Sequence, residues 1–193
     1  SEMKCFQIEL TKGYGYNEFR DDLKQLYFIA GCDGTPVVFL FADTQIKDES
    51  YLEDINGLLN AGEVPNLFAN DEWEKIKSAV RPLAKEREIA ETPDNLKKLF
   101  VDRSRENLHI VLAMSPGGSA FRVRCRMFPS LINCCTIDWF DAWPKDALLS
   151  VAQRYFEKLD VGSDEAKNAI CEVCVEMHYS VGKMGEAFMS ELR

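Results

Sequence analysis

Apolar residues in this chain follow two periods, and the change from one to the other separates an α/β part from a helical part. The run Val37-Val38-Phe39-Leu40-Phe41-Ala42 follows Gly34-Thr35-Pro36 and ends abruptly at Asp43-Thr44-Gln45. Its length and β-rich composition predict a strand buried on both faces, as in the middle of a parallel sheet. Leu108 to Met114 repeats the pattern and ends in Ser115-Pro116-Gly117-Gly118. Cys5 to Leu10 alternates apolar and polar residues, which suits a strand nearer a sheet edge. Cys135 to Phe140 reads as a further strand.

Between these runs the period is helical. Asn17 is placed to cap a helix carrying Phe19, Leu23, Leu26 and Tyr27, and a second helix is expected from about Glu49 to Asn60. Residues 71 to 105 read as helix with stops at Pro82 and at Thr92-Pro93, the latter a good start for the next helix. Ser119 to Phe128 is basic and helical in pattern, and Pro129-Ser130-Leu131 begins another short turn. After Trp143-Pro144 only helical periodicity remains, from Asp146 to Leu159 and from Asp164 to Leu192, so a boundary is expected near residue 143.

Composition narrows the function classes. At 193 residues and 46% hydrophobic, the chain can bury a core of its own. Its formal charge of −9, from 32 acidic and 23 basic residues, argues against general nucleic-acid binding, which needs a concentrated positive face. The apolar runs are far shorter than the ~20 residues that cross a bilayer. Seven cysteines, an odd count, suit a reducing compartment. The opening Ser-Glu-Met passes almost directly into a strand pattern, which suggests a piece of something longer.

The candidate chemistry sits at strand ends. In a parallel sheet all C-terminal ends lie on one side, so Asp43 and Ser115 are expected on a shared ligand edge. Asp43 alone could equally end its strand or cap the next helix. The phosphate-cradling pattern G-x-x-x-x-G-K-[ST] does not occur in the sequence. Cys171, Cys174 and His178 have the spacing of half a metal site, but also that of one face of a buried helix, and packing is the preferred reading. His109, within an apolar strand, reads as a packed histidine rather than a base. Arg122, Arg124 and Arg126 could reach a phosphate across a subunit interface, or form a solvated face paired to the abundant acids. A small magnesium-dependent domain of the receiver type would need a second acidic strand tip, which is not evident.

Four stretches, FQIELTKGYGYNEFRDDLK, FLFADTQIKDESYLEDINGLLNAGEVPNLF, NLHIVLAMSP and FRVRCRMFPSLINCCTIDWF, closely resemble the fourth AAA+ module of axonemal dynein heavy chains. The resemblance covers nearly the whole chain. It implies an α/β fold of the AAA+ P-loop NTPase type with strand one missing: a large subdomain over residues 1–143 lacking the Walker A strand, and a partial helical small subdomain over 144–193 leading toward a coiled-coil stalk beyond Arg193. It also implies a place in a six-module ring that drives ciliary and flagellar beating along microtubules.

By that resemblance Asp43 matches the Walker B aspartate that holds magnesium, and Ser115 matches the sensor position, where asparagine is common. Thr44 stands where the catalytic glutamate usually is, so little hydrolysis is expected. Cys134 stands where a finger arginine would serve the neighbouring module, leaving Arg126 as a substitute inter-module contact. ATP or ADP with magnesium is implied for the parent protein, with none held tightly by these residues alone. Implied partners are neighbouring modules of the same heavy chain, other dynein subunits and microtubules, with no nucleic acid and no membrane. The implied location is the cytoplasm and cytoskeleton, in the axoneme of the cilium or flagellum. The role is a regulatory nucleotide-binding module or, alternatively, a non-catalytic segment that transmits force. AAA+ sheets run 5-1-4-3-2, so without strand one the fifth strand, Cys135 to Phe140, is expected either to pair with the fourth or to leave the chain unstable and prone to associate.

Overall fold

The computed structural model describes residues 3–117 and 119–192. Gly118, in the sequence Ser115-Pro116-Gly117-Gly118, and Arg193, where the stalk was expected to begin, lie outside them. The chain divides into a unit running through Ile137 and a second unit from Asp138.

The first unit is built on a parallel sheet of three strands: β1 (Lys4–Phe6), β2 (Val37–Ala42) and β3 (Leu108–Ala113), in the order β1-β2-β3. Val38 lies between Cys5 and His109, and Leu40 beside Val111. These strands correspond to those expected as second, third and fourth, in that spatial order. The helices are α1 (Tyr16–Tyr27), α2 (Ser50–Ala61), α3 (Asn70–Glu86), α4 (Pro93–Asn107), α5 (Ala120–Met127) and the single turn α6 (Ser130–Asn133).

One sheet face carries the core. Val37, Phe39 and Phe41 are fully buried in one cluster with Phe19 of α1 and Tyr51 of α2. Phe19 stacks on Tyr51 at 4.3 Å between centroids and lies 5.8 Å from Phe41. Burying each such side chain contributes about 1.5–3 kcal/mol. Helix α4 closes the other end of the core. Its Arg103 donates to the carbonyls of Cys32 (2.9 Å) and Asp33 (3.3 Å), and Arg105 donates to that of Asn60 (2.8 Å). Positive groups are thereby placed at the carbonyl ends of the α1 extension, a π-helical turn over Phe28–Asp33, and of α2, where helix dipoles favour them.

Six expectations need correction. The strand at Val37–Ala42 is not buried on both faces: Val38, Leu40 and Ala42 are half-buried, while His109, Val111 and Ala113 on the same side of β3 are exposed. His109 is therefore not packed in a core, because among the described residues no helix seals that face. Cys135 to Phe140 forms no strand and does not pair with β3; Trp139 and Phe140 are 65% and 89% exposed. A strand needs a partner for its backbone groups, and on the outer edge of β3 no described strand pairs. β1 ends at Phe6 rather than Leu10 because the Gln45 amide donates to the Ile8 carbonyl (2.9 Å), replacing the ladder there. Pro82 does not stop α3, which runs through it for another turn while burying Ile76, Val80 and Ala84. Helix α1 is capped by Gly15 rather than Asn17: the Glu18 carboxylate accepts from the Gly15 N–H at 2.9 Å. The Thr92 cap holds as expected, its hydroxyl accepting from the Asn95 N–H (3.3 Å) with Pro93 following.

The second unit pairs α7 (Lys145–Phe156) with the long α8 (Asp164–Glu191). Cys171 and Val175 of α8 are buried, Ser163 caps the helix, and Lys145 forms an ion pair with Glu176 at 3.0 Å. Toward its C-terminal end α8 exposes Met177, Val181, Met184 and Phe188. Packing accounts for Cys171 only, since Cys174 and His178 are exposed. No cluster of metal-binding side chains occurs among the described residues.

Candidate strand-tip site

The two residues expected at a common edge meet there. β2 ends at Ala42 and turns at once into a short 3-10 turn, Asp43–Gln45, held by the Ala42 N–H donating to Gln45 Oε1 at 2.8 Å. That turn aims Asp43 sideways across the tip of β3, where its Oδ2 accepts the backbone N–H of Ser115 at 2.9 Å. A carboxylate has about four lone-pair sites, so this bond leaves Oδ1 and half the acceptor capacity available. The Ser115 oxygen accepts from the Gly117 N–H at 3.3 Å, which leaves its hydroxyl hydrogen free to donate outward. Asp43 is half-buried, while Ser115 and Thr44 are exposed.

This pair fits the metal-and-phosphate side of a magnesium nucleotide site. Magnesium ordinarily takes one or two carboxylates and fills its other positions with water and phosphate oxygens. Asp43 would supply the one, and Ser115 would be the donor to a phosphate oxygen. The backbone cradle for the remaining phosphates is not contained in the sequence.

Sequence reasoning missed the residues that hold this edge. After β2 every second residue reaches a different neighbour: Asp43 to Ser115, Gln45 to Ile8, Lys47 to the carbonyls of Thr11 (3.1 Å) and Tyr14 (3.2 Å), and Glu49 to Arg124. Tyr14 is itself fixed, its hydroxyl donating to Asp22 at 2.5 Å. Burial and Asp22 push that phenol well above its ordinary range, so it stays a neutral donor. The available signal is the polar run Asp43 to Glu49 interrupted only by the half-buried Ile46.

The three arginines separate. Arg124 Nε and Nη2 both donate to Glu49 Oε1, at 3.1 and 3.0 Å, which matches the salt-bridged reading. Arg122 and Arg126 are exposed on α5, and Cys134 is exposed after α6. The structure does not bring Arg126 into the pairing of Asp43 with Ser115.

Across residues 1–193 the chain matches the family model described as the P-loop containing dynein motor region D4. It is 54% identical over 191 residues to human dynein axonemal heavy chain 6, covering 98% of this chain and 5% of that protein. It is 51% identical over 193 residues to the Chlamydomonas reinhardtii dynein-1-beta heavy chain of the flagellar inner arm I1 complex, covering 100% of this chain and 4% of that one. With human dynein axonemal heavy chain 1 it shares 48% over 194 residues, again 4% of that protein. The chain thus spans about a twentieth of the length of these relatives.

Proposed function

Because the chain belongs to the family of the P-loop containing dynein motor region D4, we propose that it is a regulatory nucleotide-binding module of the microtubule motor of cilia and flagella. The observation that carries this reading is the Ser115 N–H to Asp43 contact, which joins the two strand tips at one edge and leaves a carboxylate oxygen available there. In the parent heavy chain Asp43 would hold magnesium and Ser115 would donate to the terminal phosphate of ATP. Bound magnesium neutralises phosphate charge. The protein's own part is to hold the two tips in register.

Hydrolysis needs a group that orients and deprotonates the attacking water. The residue after Asp43 is Thr44, exposed and with no useful basicity near neutral pH. The module therefore binds and releases nucleotide with little or no turnover of its own. Arg126 is its proposed contact to a neighbouring module, and residues 144–193 form the helical part that leads toward the stalk. Neighbouring modules, other dynein subunits and microtubules are the partners of the parent, in the axonemal cytoskeleton.

A second reading, a non-catalytic segment that transmits force, draws support from Asp43 already being bonded within the fold. Asp43→Asn in the full heavy chain separates the two. Loss of one charged ligand is expected to weaken Mg-nucleotide binding at this module by about tenfold or more. Unchanged occupancy in the mutant would favour the force-transmitting segment.

A further inference from the structure

Three side-chain acceptors on one segment meet three donors on another, in the same order along both. Asp43 accepts from the Ser115 N–H (2.9 Å), Glu49 from the Arg124 guanidinium (3.0 and 3.1 Å), and Asn56 Oδ1 from the Ser130 N–H (3.0 Å). The first segment runs from the tip of β2 along α2, and the second from the tip of β3 through α5 to α6. All acceptors lie on the first and all donors on the second, so the two are laced side by side from the sheet edge outward.

The central tie is the one made between two charged side chains. Both N–H groups of one guanidinium edge converge on one carboxylate oxygen, and charge-assisted bonds are roughly twice as strong as neutral ones. Arg124 is also sheltered, its side chain 19% exposed against 49% for Glu49. The outer tie sits where Ser130 and Leu131 are buried against α2. A displacement at Ser115 therefore has a path of bonded groups to α6.

We propose that Arg124 is a positioning residue: its pairing with Glu49 couples occupancy of the Asp43 and Ser115 tips by Mg-nucleotide to the placement of α6. This rests on the nucleotide-site reading given above. Arg124 touches neither metal nor phosphate. It acts by keeping the second segment moving as one body with the first.

Hydrogen exchange in the full-length heavy chain, with and without saturating Mg-ATP, tests it. Mg-ATP should slow exchange at Ser115 and Gly117 and also across residues 130–134, each by about fivefold or more, the lower end of ordinary site-to-site coupling. In Arg124→Gln the tips should still respond while residues 130–134 no longer do, and exchanging the charges in Glu49→Arg with Arg124→Glu should restore the distant response. Asn56→Ala, which cuts only the last tie, should also abolish the response at 130–134 and serves if Arg124→Gln fails to fold. A distant response that persists in a folded Arg124→Gln, or that is absent from the wild type while the tips respond, overturns the coupling; where Arg124→Gln fails to fold, a response that persists in Asn56→Ala does so. Asp43→Asn reports on the underlying reading: if the tips respond to Mg-ATP as strongly without that carboxylate, the nucleotide-site assignment itself fails.

Discussion

Asp54 shows most plainly how one side chain sets a pH dependence. It is buried on α2 with Oδ2 lacking a hydrogen-bond partner. Burial raises its carboxyl above the ordinary 3.8; Tyr16 and Arg20 of α1 partly oppose this, and Glu53 adds to it. A carboxyl raised on folding favours the folded state at low pH, and that contribution is lost as pH climbs past 3.8 through the folded value. Asp54→Asn removes the charge that burial disfavours and is therefore expected to raise chemical stability at pH 7, with the gain shrinking toward pH 4. An equal gain at both values would contradict this account. Gly31 makes a sharper steric claim. A Cβ there would lie 2.5 Å from Phe100 Cε2, in a packed interior with no slack. Gly31→Ala should cost about 1–3 kcal/mol in urea unfolding.

At the scale of elements, the Thr92 cap and the α1–β2–α2 aromatic stack are separable. Thr92→Ala removes one side-chain cap at an exposed helix start and should cost about 1 kcal/mol. Phe19→Ala opens a cavity beneath Tyr51 and Phe41 and should cost about 3–5 kcal/mol, enough to compare the two in one series of melts. These elements were legible in the sequence because each is set by a local pattern: the apolar run of β2, the Thr-Pro start of α4, the spacing of Phe19, Leu23 and Leu26. What was not legible depended on partners. Cys135 to Phe140 has strand composition, but no strand among the described residues pairs along the outer edge of β3, so composition lost to the hydrogen-bond requirement. His109 sits in an apolar run yet faces outward, because a run says nothing about which face is covered. Pro82 was read as a stop, but burial of Val80 and Ala84 on either side keeps the helix going. At the site, Asp43 and Ser115 were legible from their places at strand ends. Gln45, Lys47, Glu49 and Asn56 were not, since each bonds to residues between 33 and 75 positions away.

For the whole molecule, one sheet face is left uncovered among the described residues, and the sequence does not contain the phosphate-cradling G-x-x-x-x-G-K-[ST] pattern. The edge gathered by Asp43 and Ser115 can hold a metal and one phosphate, yet most nucleotide affinity in such sites comes from backbone N–H groups and a lysine around the phosphates. The 193-residue chain by itself should therefore bind Mg-ATP only weakly. Titration calorimetry giving micromolar affinity for the isolated chain would contradict that. The central claim concerns the parent heavy chain, and a cryo-electron microscopy structure of its ring in Mg-ATP tests it most directly. The expected result is nucleotide at this module, with the metal against the Asp43 carboxylate and the Ser115 hydroxyl at the terminal phosphate. A module empty of nucleotide, or a bound metal that Asp43 does not touch, would contradict the account.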